Sequence, residues 1–202
     1  MPAEIYVAKP YENQWLDEMV AKIASLSCER TDGEIHFCSD IVLAASEVVG
    51  KACELDENTR QERYGGCLVI GKKGASWFPV PVFFGGAANR DSEYGVKSDK
   101  YIAYALAKAA ILVLHPEMTS SGQNNSLLED ERLYMGNNPV PAGAITLPDG
   151  TILSFSGFSQ ECDEAITLAI AQNMGFIDNN GAKKISEEGT RNSYPIFLEL
   201  TK

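Results

Sequence analysis

The chain has 202 residues, 45% hydrophobic and 22% charged, the balance of one folded domain rather than a disordered segment. Lys and Arg number 17 against 28 for Asp and Glu, a formal net charge of −11. That balance argues against a nucleic-acid partner, which needs a basic face to neutralise phosphates, and against an anionic membrane surface. The start, Met1-Pro2-Ala3-Glu4-Ile5-Tyr6, lacks the charged-then-apolar order of a secretory signal. The longest apolar stretch, Ile102 to Leu114, is interrupted by Lys108 and is too short to span a bilayer. Five cysteines (Cys28, Cys38, Cys53, Cys67 and Cys162) stand at irregular spacings with no Cys-x-x-Cys pair, so reduced thiols and a cytoplasmic location are expected.

In chain order, a first helix is expected over Tyr11 to Ser27, with Trp15, Met19, Val20, Ile23 and Leu26 at helical spacing. A break follows at Thr31-Asp32-Gly33. Ser39 is then placed to cap a second helix, whose stripe runs Ile41, Val42, Ala45, Val48, Val49, Ala52 and Leu55 before dissolving into the charged run Asp56 to Arg63. Cys67 to Ile70 and Ser76 to Phe84 read as strands around the turn Lys72-Lys73-Gly74, and Pro79 and Pro81 mark the second as an edge or bulged strand. A third helix, Ser98 to Leu114, is apolar on nearly all sides and is stopped by Pro116.

Thr119 to Glu131 is polar and reads as a surface loop or short irregular turn. A hairpin follows, Ala142 to Leu147 and Thr151 to Phe155, turning at Pro148-Asp149-Gly150. Ser159 can cap a last helix ending near Met174, with Gly175 at its C-terminal cap. In the tail, Asp178-Asn179-Asn180-Gly181 reads as a turn and Ile196 to Leu200 as a short strand. Hairpins alternating with helices give an α+β class with an antiparallel sheet.

Chemistry is thinly marked. Gly-x-Ser-x-Gly is absent, and Ser156-Gly157-Phe158-Ser159 reads as a strand end turning into a capped helix. His36, Cys38 and Asp40 form at most a two-ligand patch, and no phosphate-binding glycine motif occurs; Gly65-Gly66 and Gly85-Gly86 fit turns or close backbone contacts. His115 ends the third helix. It serves either as a structural helix-end imidazole or, if neutral and held through its other nitrogen, as an iron or other metal ligand. Lys108 reads as a snorkelling or salt-bridged lysine. Asp163 and Glu164 lie in the first turn of the last helix, where negative charge is favoured.

Three stretches carry a resemblance to the GlcG/HbpS-like family of haem-binding or haem-degrading-type domains. They are Leu43 to Ala52; Ala107-Lys108-Ala109-Ala110 with Thr119 beyond it; and Asp149 to Gly157 followed by Asp163-Glu164-Ala165. Gly136-Asn137-Asn138-Pro139 only approximates the family's Gly-Gly-x-Pro, and Gly71-Lys72-Lys73-Gly74 replaces its Asp-x-x-Gly turn. The resemblance implies a single domain over 1–202, with an extra N-terminal helical segment over 1–38, the family core over 39–175 and a tail over 176–202. It implies a profilin-like or PAS-like antiparallel sheet flanked by helices and assembly into homo-oligomers. The leading expectation is a non-catalytic binder of a small molecule, haem or a related tetrapyrrole, with His115 as the iron ligand, Lys108 or Arg90 near a propionate, and Thr119 in the same site. The alternatives are a homo-oligomeric structural protein without a cofactor, and an enzyme using carboxylates such as Asp163 or Glu164.

Overall fold

A computed structural model describes residues 5–7, 32–73, 80–88, 98–190 and 192–202, with backbone alone for 5–7, 32–39, 88 and 98. The helix expected over Tyr11 to Ser27, the residues 74–79 of the second expected strand, and Arg90 lie outside the described residues. In chain order the elements are β1 (Ile5–Val7), α1 (Asp32–Glu54), α2 (Asp56–Arg60), β2 (Gly65–Lys72), β3 (Val80–Gly85), α3 (Ser98–Leu114), β4 (Tyr134–Met135), β5 (Asn138–Pro139), β6 (Ala144–Thr146), β7 (Thr151–Ser156), α4 (Gln160–Asn173), α5 (Asn179–Glu188) and α6 (Ser193–Leu200). The fold is α+β: one antiparallel sheet in the order β1-β3-β2-β7-β6, flanked by helices.

Both faces of this sheet are buried, so β7 is buried along its whole length and β2 as far as Gly71, without the alternation of a half-exposed sheet. The period of two still sorts the side chains. Leu68 and Ile70 of β2, Val82 and Phe84 of β3, Ile145 of β6, and Leu153 and Phe155 of β7 share one core with α1, α4, α5 and α6. Cys67, Val69, Phe83, Ala144 and Ile152 point the other way, into a second core with α3. The register keeps the two sets apart, with Leu68 opposite both Val82 and Phe155, and Cys67 opposite Phe83. On the α3 side, the Ser154 hydroxyl donates to the Ala105 carbonyl at 2.6 Å, satisfying a polar group inside an apolar layer.

α1 packs with Ile41, Ala45, Val48, Val49 and Ala52, all fully buried at helical spacing. α3 has the bounds its composition predicts, and Ile102, Ala105, Ala109, Ile111 and Leu112 are buried. α4 is buried from Cys162 to Ala171, capped by the Ser159 side chain accepting from the Cys162 N–H. It ends at Gly175 (φ 74°), whose N–H reaches Gln172 O while the Phe176 N–H reaches Ala171 O, a left-handed cap that glycine enters without steric cost. The hairpin turn is likewise as expected, with Gly150 at φ 85° and Asp149 accepting from the Thr151 N–H.

Several sequence expectations are corrected. Ser39 does not cap α1, which runs back through it to Asp32, since a serine costs a helix interior little once the helix is packed. The charged run after Leu55 does not dissolve but forms α2. β3 lies between β1 and β2 and is an edge only at Pro81, which stands one residue beyond the β1 pairing of Val7 with Val82, while Pro79 lies outside the described residues. The polar stretch after Thr119 is a surface loop only in its second half, exposed from Asn125 to Glu131 apart from Leu127; its first half is a 3₁₀ helix, Ser121–Ser126, with Ser121, Gly122 and Asn124 buried. Asn124 does there the work of a strand, donating to Leu133 O and Val140 O and accepting from the Leu133 N–H. The tail is helical: Asp178 accepts from the Gly181 N–H and so caps α5, because Asp serves N-caps as readily as turns. Ile196 to Leu200 is not a strand but part of α6, where Phe197 and Leu200 are buried at a spacing of three; so short an apolar run fits either period.

Close approach explains two glycines. β-carbons at Gly66 and Gly157 would overlap the Ser156 carbonyl oxygen and the Gly65 carbonyl oxygen, respectively, where β2 passes the end of β7. Gly157→Ala is therefore expected to cost about 1–3 kcal/mol through overpacking. A lowered denaturant midpoint checks this, and an unchanged midpoint would mean that the backbones are not in contact there.

Candidate functional site

Lys108 projects from α3, on one side of the sheet, and Asp163 from α4, on the other. They meet beside the β6–β7 edge with Nζ 2.6 Å from Oδ2, at 1% and 2% side-chain exposure. Lys108 also donates to Phe155 O at 2.8 Å, and the second carboxylate oxygen accepts from the Phe158 N–H at 2.9 Å. Gly143 (φ 131°) makes room: a β-carbon there would stand 2.7 Å from the ammonium. Burial pushes the Asp163 carboxyl up from the usual carboxylate range, against the opposing pull of Lys108, the Phe158 N–H and Arg63.

Above this pair lies a cavity of about 380 Å³, between the end of α2, the first turns of α3 and the β7–α4 connection. Tyr101, Tyr104 and Phe158 wall it, Ser156 lines it, and Lys100 stands with its ammonium 5.7 Å from the centre of the Tyr104 ring. Arg63 enters from the α2 side. Its placement depends on Glu62, which at φ 52° takes the left-handed conformation that glycine normally supplies at a helix end. The turn closes with the Glu62 N–H on Thr59 O and the Arg63 N–H on Asn58 O. A glutamate there is strained by the order of 1–2 kcal/mol. The Arg63 Nη1 is buried and finds no acceptor among the described residues.

Glu164, next to Asp163, forms a second buried cluster. Its carboxylate accepts from the Ser120 hydroxyl, from the Thr190 N–H at 3.0 Å and hydroxyl at 2.6 Å, and from the Ser193 hydroxyl at 2.7 Å. Gly189 lies against it where a β-carbon would collide with the carboxylate. Burial raises its pKa and the four hydrogen bonds oppose that rise. Glu164 thus ties the C-terminal helices to α4 and to the segment after α3, and offers no accessible acid.

The residues singled out in the sequence do not form one site. Lys108 lies at the cavity floor. His115 caps the other end of α3, seven residues or roughly 10 Å farther along the helix. Its Nδ1 is 3.6 Å from Glu117 Oε1. Thr119 donates to Glu188 Oε2 at 2.7 Å and lines a different cavity, beside Lys73 and Ile185. Asp163 and Glu164 are both buried within bonded clusters. Arg63, Lys100, Tyr101 and Tyr104 were not legible as site residues: they come from two segments that no local motif joins, and the strained glutamate looks like any other residue of a charged run.

Cys53, Cys67 and Cys162 are free thiols, each raised by burial, Cys53 to about 11 and Cys162 to about 12, and so poor nucleophiles. Among the described residues no group of three His, Cys, Asp or Glu side chains is placed to hold a metal ion, and no helix is long and apolar enough to cross a membrane. In comparisons with protein-family models, curated proteins and solved structures, the chain matches none.

Lys108→Met should destabilise the protein by about 3–5 kcal/mol, because Asp163 is left buried without its cation. Adding Asp163→Asn should restore most of the loss, a non-additivity that a double-mutant cycle in urea measures. Glu164 predicts a pH dependence. Its folded pKa is raised, so the folded state binds more protons than the unfolded one, and stability falls as pH rises from the usual glutamate range through the raised value. Glu164→Gln should flatten that slope in stability measurements across pH; an unchanged slope would assign it to other groups.

Proposed function

We propose that this chain is a small-ligand-binding protein of the GlcG/HbpS-like kind, and that its ligand occupies the cavity above Lys108 and Asp163. The observation that carries the reading is the buried Arg63 Nη1, without an acceptor among the described residues, at a cavity of metabolite size. An unpaired buried donor on a charged group is costly, and an acceptor brought by a ligand removes the cost. Two of the segments on which the resemblance rests line this cavity: Lys108 of the Ala-Lys-Ala stretch pairs with Asp163 of the Asp-Glu-Ala stretch, beside Ser156-Gly157. Homo-oligomeric assembly belongs to the same proposal, and light scattering reads it directly.

Haem or another tetrapyrrole is the second reading, with His115, at the far end of α3 and outside this cavity, as its iron ligand. A thermal-shift panel of metabolite-sized molecules should yield binders that stabilise the wild type. They should fail on Gln160→Trp, which fills the cavity mouth from the first turn of α4. Stabilisation that survives Gln160→Trp, or none across the panel, would overturn the cavity reading. For haemin, a Soret band lost in His115→Ala would establish iron ligation at the helix end, and a flat titration at stoichiometric haemin would remove haem.

A further inference from the structure

The geometry points to a small monocarboxylate with a flat apolar body as the ligand class of this cavity, with Arg63 as its carboxylate receptor; this rests on the cavity being the binding site. Three features of the cavity select that class: an unmet donor, the sum of its charges and the shape of its walls.

The donor comes first. Arg63 lines the cavity with a buried Nη1 that finds no acceptor among the described residues, and an acid, Asp163, lines the same cavity. That acid is already committed, with Oδ2 on Lys108 and Oδ1 on the Phe158 N–H. The buried carboxylate of the cavity therefore leaves the Arg63 Nη1 unmet. The position of Arg63 is fixed at some expense, by the left-handed Glu62 and by the Arg63 N–H bond to Asn58 O. An unmet guanidinium N–H suits an anionic oxygen acceptor, and a carboxylate is the planar anion that matches a guanidinium.

Charge then sets the valence. The lining carries three cationic side chains, Arg63, Lys100 and Lys108, against two carboxylates, Glu62 and Asp163. The balance is a single positive charge, in a chain whose net charge is −11. An anion is drawn to this spot against the field of the rest of the molecule, and the two carboxylates oppose a second negative charge. A dianionic phosphate is the poorer match. The walls supply the remainder: Tyr101, Tyr104, Phe158 and Pro141 present flat apolar surface to the ligand body.

The test is calorimetric titration of the full chain with benzoate, its neutral counterpart benzamide, and inorganic phosphate, at fixed ionic strength. Benzoate should bind saturably, at least tenfold more tightly than either of the others. Arg63→Met should weaken benzoate tenfold or more, while Lys183→Met, which removes an exposed cation on α5, should leave it unchanged. Arg63→Lys keeps the charge without the fork and should retain part of the affinity, which separates loss of the receptor from loss of the fold; an unchanged melting temperature confirms it. Benzamide binding as well as benzoate, or Arg63→Met matching Lys183→Met, would overturn the carboxylate class while leaving the cavity as a binding site. Failure of all three probes overturns the carboxylate class. The cavity reading falls with it only if the wider panel, read against Gln160→Trp, fails too.

Discussion

The structure turns on the ion pair between Lys108 and Asp163. A sheet buried on both faces separates its two helical layers, and apolar contact holds each layer only to its own face. Lys108 and Asp163 join the layers directly, at the sheet edge, where Gly143 leaves the space a side chain would fill. Such a pair contributes little net free energy once the desolvation of both ions is counted. Its effect is positional. A charge at 1% exposure is tolerated only with its partner in place, so α3, α4 and the end of β7 hold one relative arrangement or lose a great deal.

That arrangement sets the cavity. Its floor is the ion pair, and its walls are the first turns of α3 and the β7–α4 connection, the elements the pair fixes. Arg63 is brought in separately, by a helix end that uses glutamate where glycine would be relaxed. Strain retained next to a buried, unmatched donor is a local conflict of the kind that binding sites hold and packed cores do not. Glu164 shows the opposite case one residue from Asp163. There four donors meet a buried carboxylate, and the effect is to fasten the C-terminal helices onto the core.

The three helices and the hairpin that were legible in the sequence share a simple basis. α3 and α4 are long and apolar with clear stops at Pro116 and Gly175, and Asp149-Gly150 specifies its turn chemistry directly. Misreadings fell where one residue type serves two structures. Asp178-Asn179-Asn180-Gly181 suits a turn and a helix cap alike, and Ile196 to Leu200 is too short for its period to separate strand from helix. The buried 3₁₀ helix was hidden by its polarity: Ser121 and Asn124 spend their polar groups on neighbouring backbone rather than on water. Of the site, Lys108 reads in the sequence as a snorkelling or salt-bridged lysine and Asp163 as a carboxylate at a helix start, and nothing in either segment names the other as its partner.

The sequence by itself determined the α+β class, the third helix to its ends, the closing hairpin, the caps of α4 and the absence of a nucleophile motif, because each depends on neighbours within a few turns of chain. Tertiary structure alone decided that the sheet is covered on both faces, that the tail folds into the core, and that Lys108 meets Asp163 across 55 positions. It also decided that Arg63 reaches the same spot with a donor unmet. Those facts arise from distances between segments remote in sequence, and from the desolvation of charges that only packing removes from water.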